Sequence, residues 1–210
     1  MLLHCSTAVV AGSADENPVT EGTSCAPYSP YQKIKLSVER ELQENIESVP
    51  LVIIRPTAVF GDGGKNLLKM VNDIRRRPRV VNWLHCFIGG RRTLNLVPVE
   101  TVVAAIRYLS LSVKQTGIFI VACDDSPVNT YRQVEKVLRK ELIIKPYKIS
   151  PPELPLTLFS LCLRILGRGK LPPARKYAAC RLADAGFLPP VPFETALRDY
   201  ARKIVLYNGS

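Results

Sequence analysis

Tyr31 and Lys35 stand four residues apart in SPYQKIKLSVE, the segment of this 210-residue chain whose residue types and spacing could do chemistry. On a helix, side chains four apart project from one face, so a phenol and an ammonium would be neighbours. A free phenol titrates near ~10 and is a poor base at neutral pH, but a cation beside it favours the phenolate. Such a pair can take a proton from a substrate hydroxyl while a nicotinamide exchanges the hydride. By itself the spacing says little, because Tyr and Lys are ordinary residues of helix surfaces. The elements around it decide its meaning.

A helix from Pro30 to about Asn45 is predicted, with Ser29 as N-cap and a proline in the first turn. Before it, LLHCSTAVV reads as a strand over residues 2–10, followed by a polar, proline-containing loop over 12–29. After it, LVIIR at 51–55 is a β-branched run between prolines, the pattern of a strand buried on both faces of a parallel sheet. TAVFGDGG turns the chain, a basic amphipathic helix covers 65–77, and LNLV at 94–97 leads into a helix from Val99 to Leu111. GIFIVAC at 117–123 is a further strand, and a helix over 130–142 has Thr130 as its cap. Strands alternating with helices imply an α/β fold with a mainly parallel sheet. From Ile143 the pattern loosens into a strand-like IIKPYKI, an apolar helix over 154–166, a GRGKLPP linker and two short helices flanking ADAGFLPPVP. The expected division is residues 1–142 as the sheet domain and 143–210 as a small, mainly helical substrate lobe.

Three ordered segments, CSTAVVAG, APYSPYQKIKLSVE and IIRPTAVFGDGG, carry a resemblance. Their order is similar to that of extended short-chain dehydrogenases/reductases of the NAD-dependent epimerase/dehydratase branch: a strand with S-S-x-x-V-Y-G, a Y-x-x-x-K-x-x-x-E helix, then a strand with R-P-x-x-V-Y-G. The resemblance implies part of a Rossmann-like parallel sheet, NAD or NADP as cofactor, and a small-molecule substrate such as a nucleotide sugar. It implies Tyr31 as acid/base, with Lys35 lowering its pKa and contacting the nicotinamide ribose. Thr7 would orient the substrate, with Ser6 as its neighbour on the cofactor side. Pro56 and Thr57 would form the turn at the nicotinamide end, after Arg55 closes the strand. Pairing of two copies through the Tyr31 helix is also implied.

The departures matter. Ala11 stands where the family often has a tyrosine lining the sugar, and Ala58 where epimerases often have asparagine. Val97-Pro98-Val99-Glu100-Thr101 replaces the familiar V-H-V-x-D, so these motifs do not secure recognition of a diphosphate. Arg91 and Arg92 remain candidates for an anionic substrate, since guanidinium pairs well with phosphate or carboxylate. The glycine-rich strand-turn-helix that grips the pyrophosphate in that family is not among these residues. GDGG at 61–64 matches the later strand-end turn, and GRG at 167–169 follows a predicted helix. The expectation is the C-terminal part of such an enzyme, truncated and inactive alone, with no dinucleotide binding of its own. The alternative is a non-catalytic module whose basic surface holds an anionic partner.

The 29 basic and 18 acidic residues leave a net charge of +11. The cations do not interleave with aromatics as a stacking platform requires, so no nucleic acid is expected. Arg75-Arg76-Arg77, with Arg79 beyond Pro78, reads as a solvated helix terminus favoured by the macrodipole. Six scattered cysteines without a CxxC pair, and two histidines each next to a cysteine, suit reduced cytoplasmic thiols and no metal. The first sixteen residues lack the positive start of a signal peptide. The apolar run 154–167 is too short to span a bilayer and contains Arg164. With Arg168, Lys170, Arg175 and Lys176 beyond it, that helix could lie on a membrane surface, but its helical spacing of Leu, Phe and Ile favours packing, and membrane association is not expected.

Overall fold

The computed structural model describes residues 1–112, 115–155, 157–158 and 174–207. They fall into two compact units, one of residues 1–59, 95–124 and 176–190, the other of 60–94, 125–175 and 191–210.

The first unit is built on β2 (Leu51–Pro56), whose Val52, Ile53 and Ile54 are completely buried, as a strand covered on both faces requires. It lies between β1 (Leu2–Cys5) and β5 (Gly117–Val121), parallel to both. Leu2 is level with Leu51, and Ile53 with Ile118. The strand expected over residues 2–10 ends at Cys5. Ala8–Ala11 coils instead into a 3-10 turn closed by Gly12 N–H donating to Val9 O at 3.0 Å. Gly12, at φ +59, closes that turn where an added Cβ would sit 1.9 Å from Ala26 O, so only glycine lets the loop pass.

Helix α1 (Pro30–Asn45) starts with a reciprocal cap: Gln32 N–H donates to Ser29 Oγ at 3.3 Å, and Ser29 N–H to Gln32 Oε1 at 3.2 Å. A two-stranded sheet joins β3 (Ala58–Phe60) to β4 (Leu96–Pro98), and α4 (Val99–Leu111) packs on β2 and β5. Side chains cover the outer edge of β5. Ile120 N–H donates to Glu21 Oε1 at 3.1 Å, and Arg181, on α6 (Cys180–Asp184), donates to Ile118 O at 3.1 Å and Thr116 O at 2.8 Å. The boundary expected after residue 142 therefore matches neither unit. Residues 176–190, assigned to the lobe, belong with the sheet through Arg181 and through Tyr177 N–H, which donates to Asp124 Oδ2 at 2.8 Å.

The second unit is helical: α2 (Leu68–Arg76), α3 (Arg79–Gly89), α5 (Tyr131–Glu141) and α7 (Phe193–Tyr207). Val71, Val134, Leu138, Leu197 and Ala201 are fully buried, and the Phe60 ring meets Phe193 and Tyr200 edge-on at 5.8 and 5.7 Å. α3 was not expected, but the arginine run does end a helix as read, with Arg75 and Arg76 in the last turn of α2 and Arg77 as its C-cap, and α3 opens directly after Pro78. α7 is 15 residues long where a short helix was expected, and Thr130 precedes α5 without a side-chain cap. IIKPYKI is not a strand. Ile143 breaks away at φ +57, and side chains take the carbonyls that follow: Arg139 on Lys145 O at 3.4 Å, Arg79 on Lys145 O at 3.1 Å and on Pro146 O, and Trp83 on Ile149 O at 2.8 Å. Most of the helix expected over 154–166 and the GRGKLPP linker lie outside the described residues.

Candidate active site

Tyr31, Lys35 and Glu39 follow one another at four-residue steps along one side of α1, and their burial deepens in that order. Tyr31 is 56% exposed, Lys35 is half-buried and Glu39 is 1% exposed. The side chains therefore reach progressively into the carboxyl ends of β1 and β2. Lys35 Nζ donates to Cys5 O at 3.5 Å, the last carbonyl of β1 before Ser6 and Thr7.

Glu39 is the anchor. Its Oε1 accepts a hydrogen bond from Ser6 Oγ, and Arg55 closes on the carboxylate with Nε at 3.1 Å from both oxygens and a terminal nitrogen 2.5 Å from Oε2. Arg55 and Ser6 are themselves 5% and 6% exposed. A carboxylate this deep costs several kcal/mol of desolvation, roughly, unless its lone pairs are satisfied, and here three donor groups meet them. Burial pulls the Arg55 guanidinium down, and the Glu39 hydrogen bonds and charge more than offset it, leaving its pKa above the usual value. The half-buried Cys25 thiol also faces Arg55. Burial raises its pKa, against the lowering pull of the guanidinium. One ion pair thus ties the helix bearing Tyr31 to the strand ends bearing Ser6 and Pro56.

The two hydroxyls after β1 differ. Ser6 is turned inward to Glu39, whereas Thr7 sits in extended backbone (φ −158, ψ 143), and its hydroxyl neither caps the following turn nor has a partner among the described residues. At the end of β2, Pro56 is buried, and Thr57 is drawn inward, its N–H donating to Val121 O at 3.1 Å and its hydroxyl to the same oxygen at 3.4 Å. Arg91 and Arg92 belong to the second unit: Arg91 stands 3.8 Å from Glu153, and the Arg92 guanidinium lies 5.6 Å from the centre of the Tyr131 ring. Glu39 and the inward turn of Ser6 escaped the sequence reading. The signal was present in the glutamate four residues after Lys35 and the arginine ending a buried strand.

The fold has counterparts among solved structures. The chain matches UDP-N-acetylglucosamine 4-epimerase from Methanobrevibacter ruminantium, crystallised with UDP-N-acetylmuramic acid, with a TM-score of 0.68 at 20% identity, over 98% of this chain and 63% of that one. It matches WbmG from Bordetella bronchiseptica, in complex with NAD, with a TM-score of 0.69 at 18% identity, over 99% and 59%. RMD from Pseudomonas aeruginosa, complexed with NADPH, gives 0.67 at 18% identity, over 96% and 64%. The fold is thus the Rossmann-like one of these enzymes, and the chain spans 59 to 64% of their lengths. No curated protein sequence gives a significant match. The sequence profile of the NAD dependent epimerase/dehydratase family matches residues 1–121, which hold both strand ends, the Tyr31 helix and β5. More than half of the chain fits that profile, so the chain belongs to the NAD-dependent epimerase/dehydratase family.

Proposed function

We propose that this chain supplies the proton-transfer half of an NAD(P)-dependent epimerase, dehydratase or reductase acting on a nucleotide sugar or a similar hydroxyl or carbonyl substrate. The observation that carries the reading is the Lys35 ammonium on the Cys5 carbonyl, with the free Thr7 hydroxyl two residues beyond and the exposed Tyr31 phenol one turn before it on α1. In this reading Tyr31 takes the proton from the substrate oxygen and returns it. Thr7 hydrogen-bonds the same oxygen, and Lys35 holds positive charge beside the phenol. The exposed phenol, the ammonium and the free hydroxyl at the carboxyl edge of a parallel sheet suit the nicotinamide end of NAD(P), which when bound supplies and takes back the hydride. Tyr31, Lys35 and the Pro56 turn would line that end. Ser6 and Thr57 would shape it from within, because their hydroxyls are spent on Glu39 and Val121. Arg91 and Arg92 are proposed for an anionic part of the substrate.

α1 also leaves Ile34 63% exposed, which supports pairing of two copies through this helix. The free thiols of Cys5, Cys25, Cys86 and Cys180 support a cytoplasmic setting. The test is Tyr31→Phe in this chain joined to an upstream dinucleotide-binding segment. Turnover should fall by roughly 10²–10⁴-fold, with NAD(P) affinity changed far less. Unaltered turnover would remove Tyr31 from the chemistry.

A further inference from the structure

α3 turns Asn82 and Cys86 inward, 1% and 2% exposed, and presents Val80 and Leu84 on the opposite face, 77% and 46% exposed. Alongside runs the segment tied to α3 by Arg79 on Lys145 O (3.1 Å) and Trp83 on Ile149 O (2.8 Å), which adds Ile149 at 76% exposure. Single exposed aliphatics are ordinary on soluble proteins, but three on one helix face and its adjoining strap form a patch. Cations frame it. Residues 65–92 hold eight Lys and Arg against the single carboxylate of Asp73, so this stretch supplies most of the chain's net charge of +11. Asp73 is already paired with Arg77 at 3.1 Å, while the exposed Arg75 and Arg76 meet no carboxylate among the described residues.

We propose that this face of α3 docks on an anionic bilayer surface, with Val80, Leu84 and Ile149 entering the headgroup boundary and Arg75, Arg76, Arg79, Lys145 and Lys148 meeting lipid phosphates and carboxylates. Branched aliphatics ringed by basic side chains are what an interfacial helix carries, and no spanning segment is required. Among the described residues no helix is long and apolar enough to cross a membrane. Nucleic acid fits less well. A single strand would need open aromatic faces, and the Trp83 and Phe87 rings are stacked on each other at 5.6 Å, with the indole N–H committed to Ile149 O, while a duplex would leave the exposed aliphatics unused.

Trp83 is the chain's only tryptophan, so the patch carries its own reporter. The test is co-sedimentation of the full chain with vesicles of phosphatidylcholine containing about a third phosphatidylserine, against phosphatidylcholine alone, with Trp83 emission followed in parallel. Binding should require phosphatidylserine, weaken as salt rises from about 0.1 to about 0.5 M, and shift Trp83 emission to the blue. Val80→Asp with Leu84→Asp should lower affinity at least about tenfold, through the lost apolar burial. Arg75→Glu with Arg76→Glu, which touches no packed side chain, should lower it by a similar factor. The proposal is overturned by absent binding, by equal binding to both vesicle types, or by binding that survives both double variants. It is equally overturned if the same variants abolish capture of double-stranded DNA or of an acidic protein while vesicles remain unbound.

Discussion

Glu39 makes the most consequential side-chain contacts of the first unit, because among the described residues it is the carboxylate that accepts from both a guanidinium buried in the strand end and the Ser6 hydroxyl. Glu39→Ala would leave Arg55 charged with no counterion in a site 5% exposed. Removing one partner of such a pair costs about 3–5 kcal/mol, and urea unfolding of the variant should show a loss of that size. Glu39→Met together with Arg55→Met should recover most of it, since neither charge is then desolvated. A single variant within about 1 kcal/mol of wild type would mean that the pair does not hold α1 in place. The Tyr31–Lys35 spacing was legible because a helix fixes which side chains share a face. Glu39 was not, because a glutamate at the next step is normally solvated. Its burial is decided by Arg55, sixteen residues on, and Ser6, thirty-three back, contacts with no local signature. The same holds for Ser6 and Thr7, adjacent hydroxyls that only the position of Glu39 tells apart.

At the scale of elements, the free edge of β5 is closed by side chains instead of another strand. Arg181 takes two carbonyls and lies 4.8 Å above the Phe119 ring, and Glu21 takes the Ile120 N–H. An uncovered strand of GIFIV would be a template for pairing between chains. Arg181→Ala should cost about 2 kcal/mol, from two charge-assisted hydrogen bonds and the cation–π contact. Thermal melts should show that loss, and light scattering should rise with protein concentration. Arg181→Lys, which keeps the charge but not the two-pronged fork, should fall between the two. Unchanged melting of the alanine variant would show that water covers this edge as well as Arg181 does. Alternating apolar and proline signals made β2, β5, α1, α4 and α5 legible. α3 was missed because Pro78, after three arginines, looks like the end of a helix, while in the fold it opens the next one. IIKPYKI has the composition of a strand, but its carbonyls go to Arg79, Arg139 and Trp83, side chains whose approach depends on tertiary packing.

Across the whole molecule, the groups that titrate in alkali are unevenly placed. In the second unit, Glu135 is 2% exposed and accepts from Arg139 Nε at 2.9 Å and from the Tyr147 hydroxyl. Burial, reinforced by the Glu135 charge, pushes the Cys86 thiol from 9.0 up to about 12 and the Tyr131 phenol from 10.0 up to about 12, and it raises Tyr147 in the same direction. Each of these acids holds its proton more tightly folded than unfolded, so the unfolded chain loses protons first as pH rises. Their contribution to stability is complete below pH 9, where the unfolded thiol begins to ionise, and is lost progressively towards pH 12. Urea unfolding followed by Trp83 emission reports on this unit, since Trp83 lies on α3. The midpoint should hold steady from about pH 7 to 9 and then fall, by an amount worth roughly a few kcal/mol by pH 12. Cys86→Ala should flatten the part of the decline that starts near pH 9 and leave the later part, set by the tyrosines, in place. A midpoint that holds to pH 11, or a decline that Cys86→Ala leaves unchanged, would mean that water reaches these groups in the folded chain and that Glu135 does not organise the second unit's response to alkali.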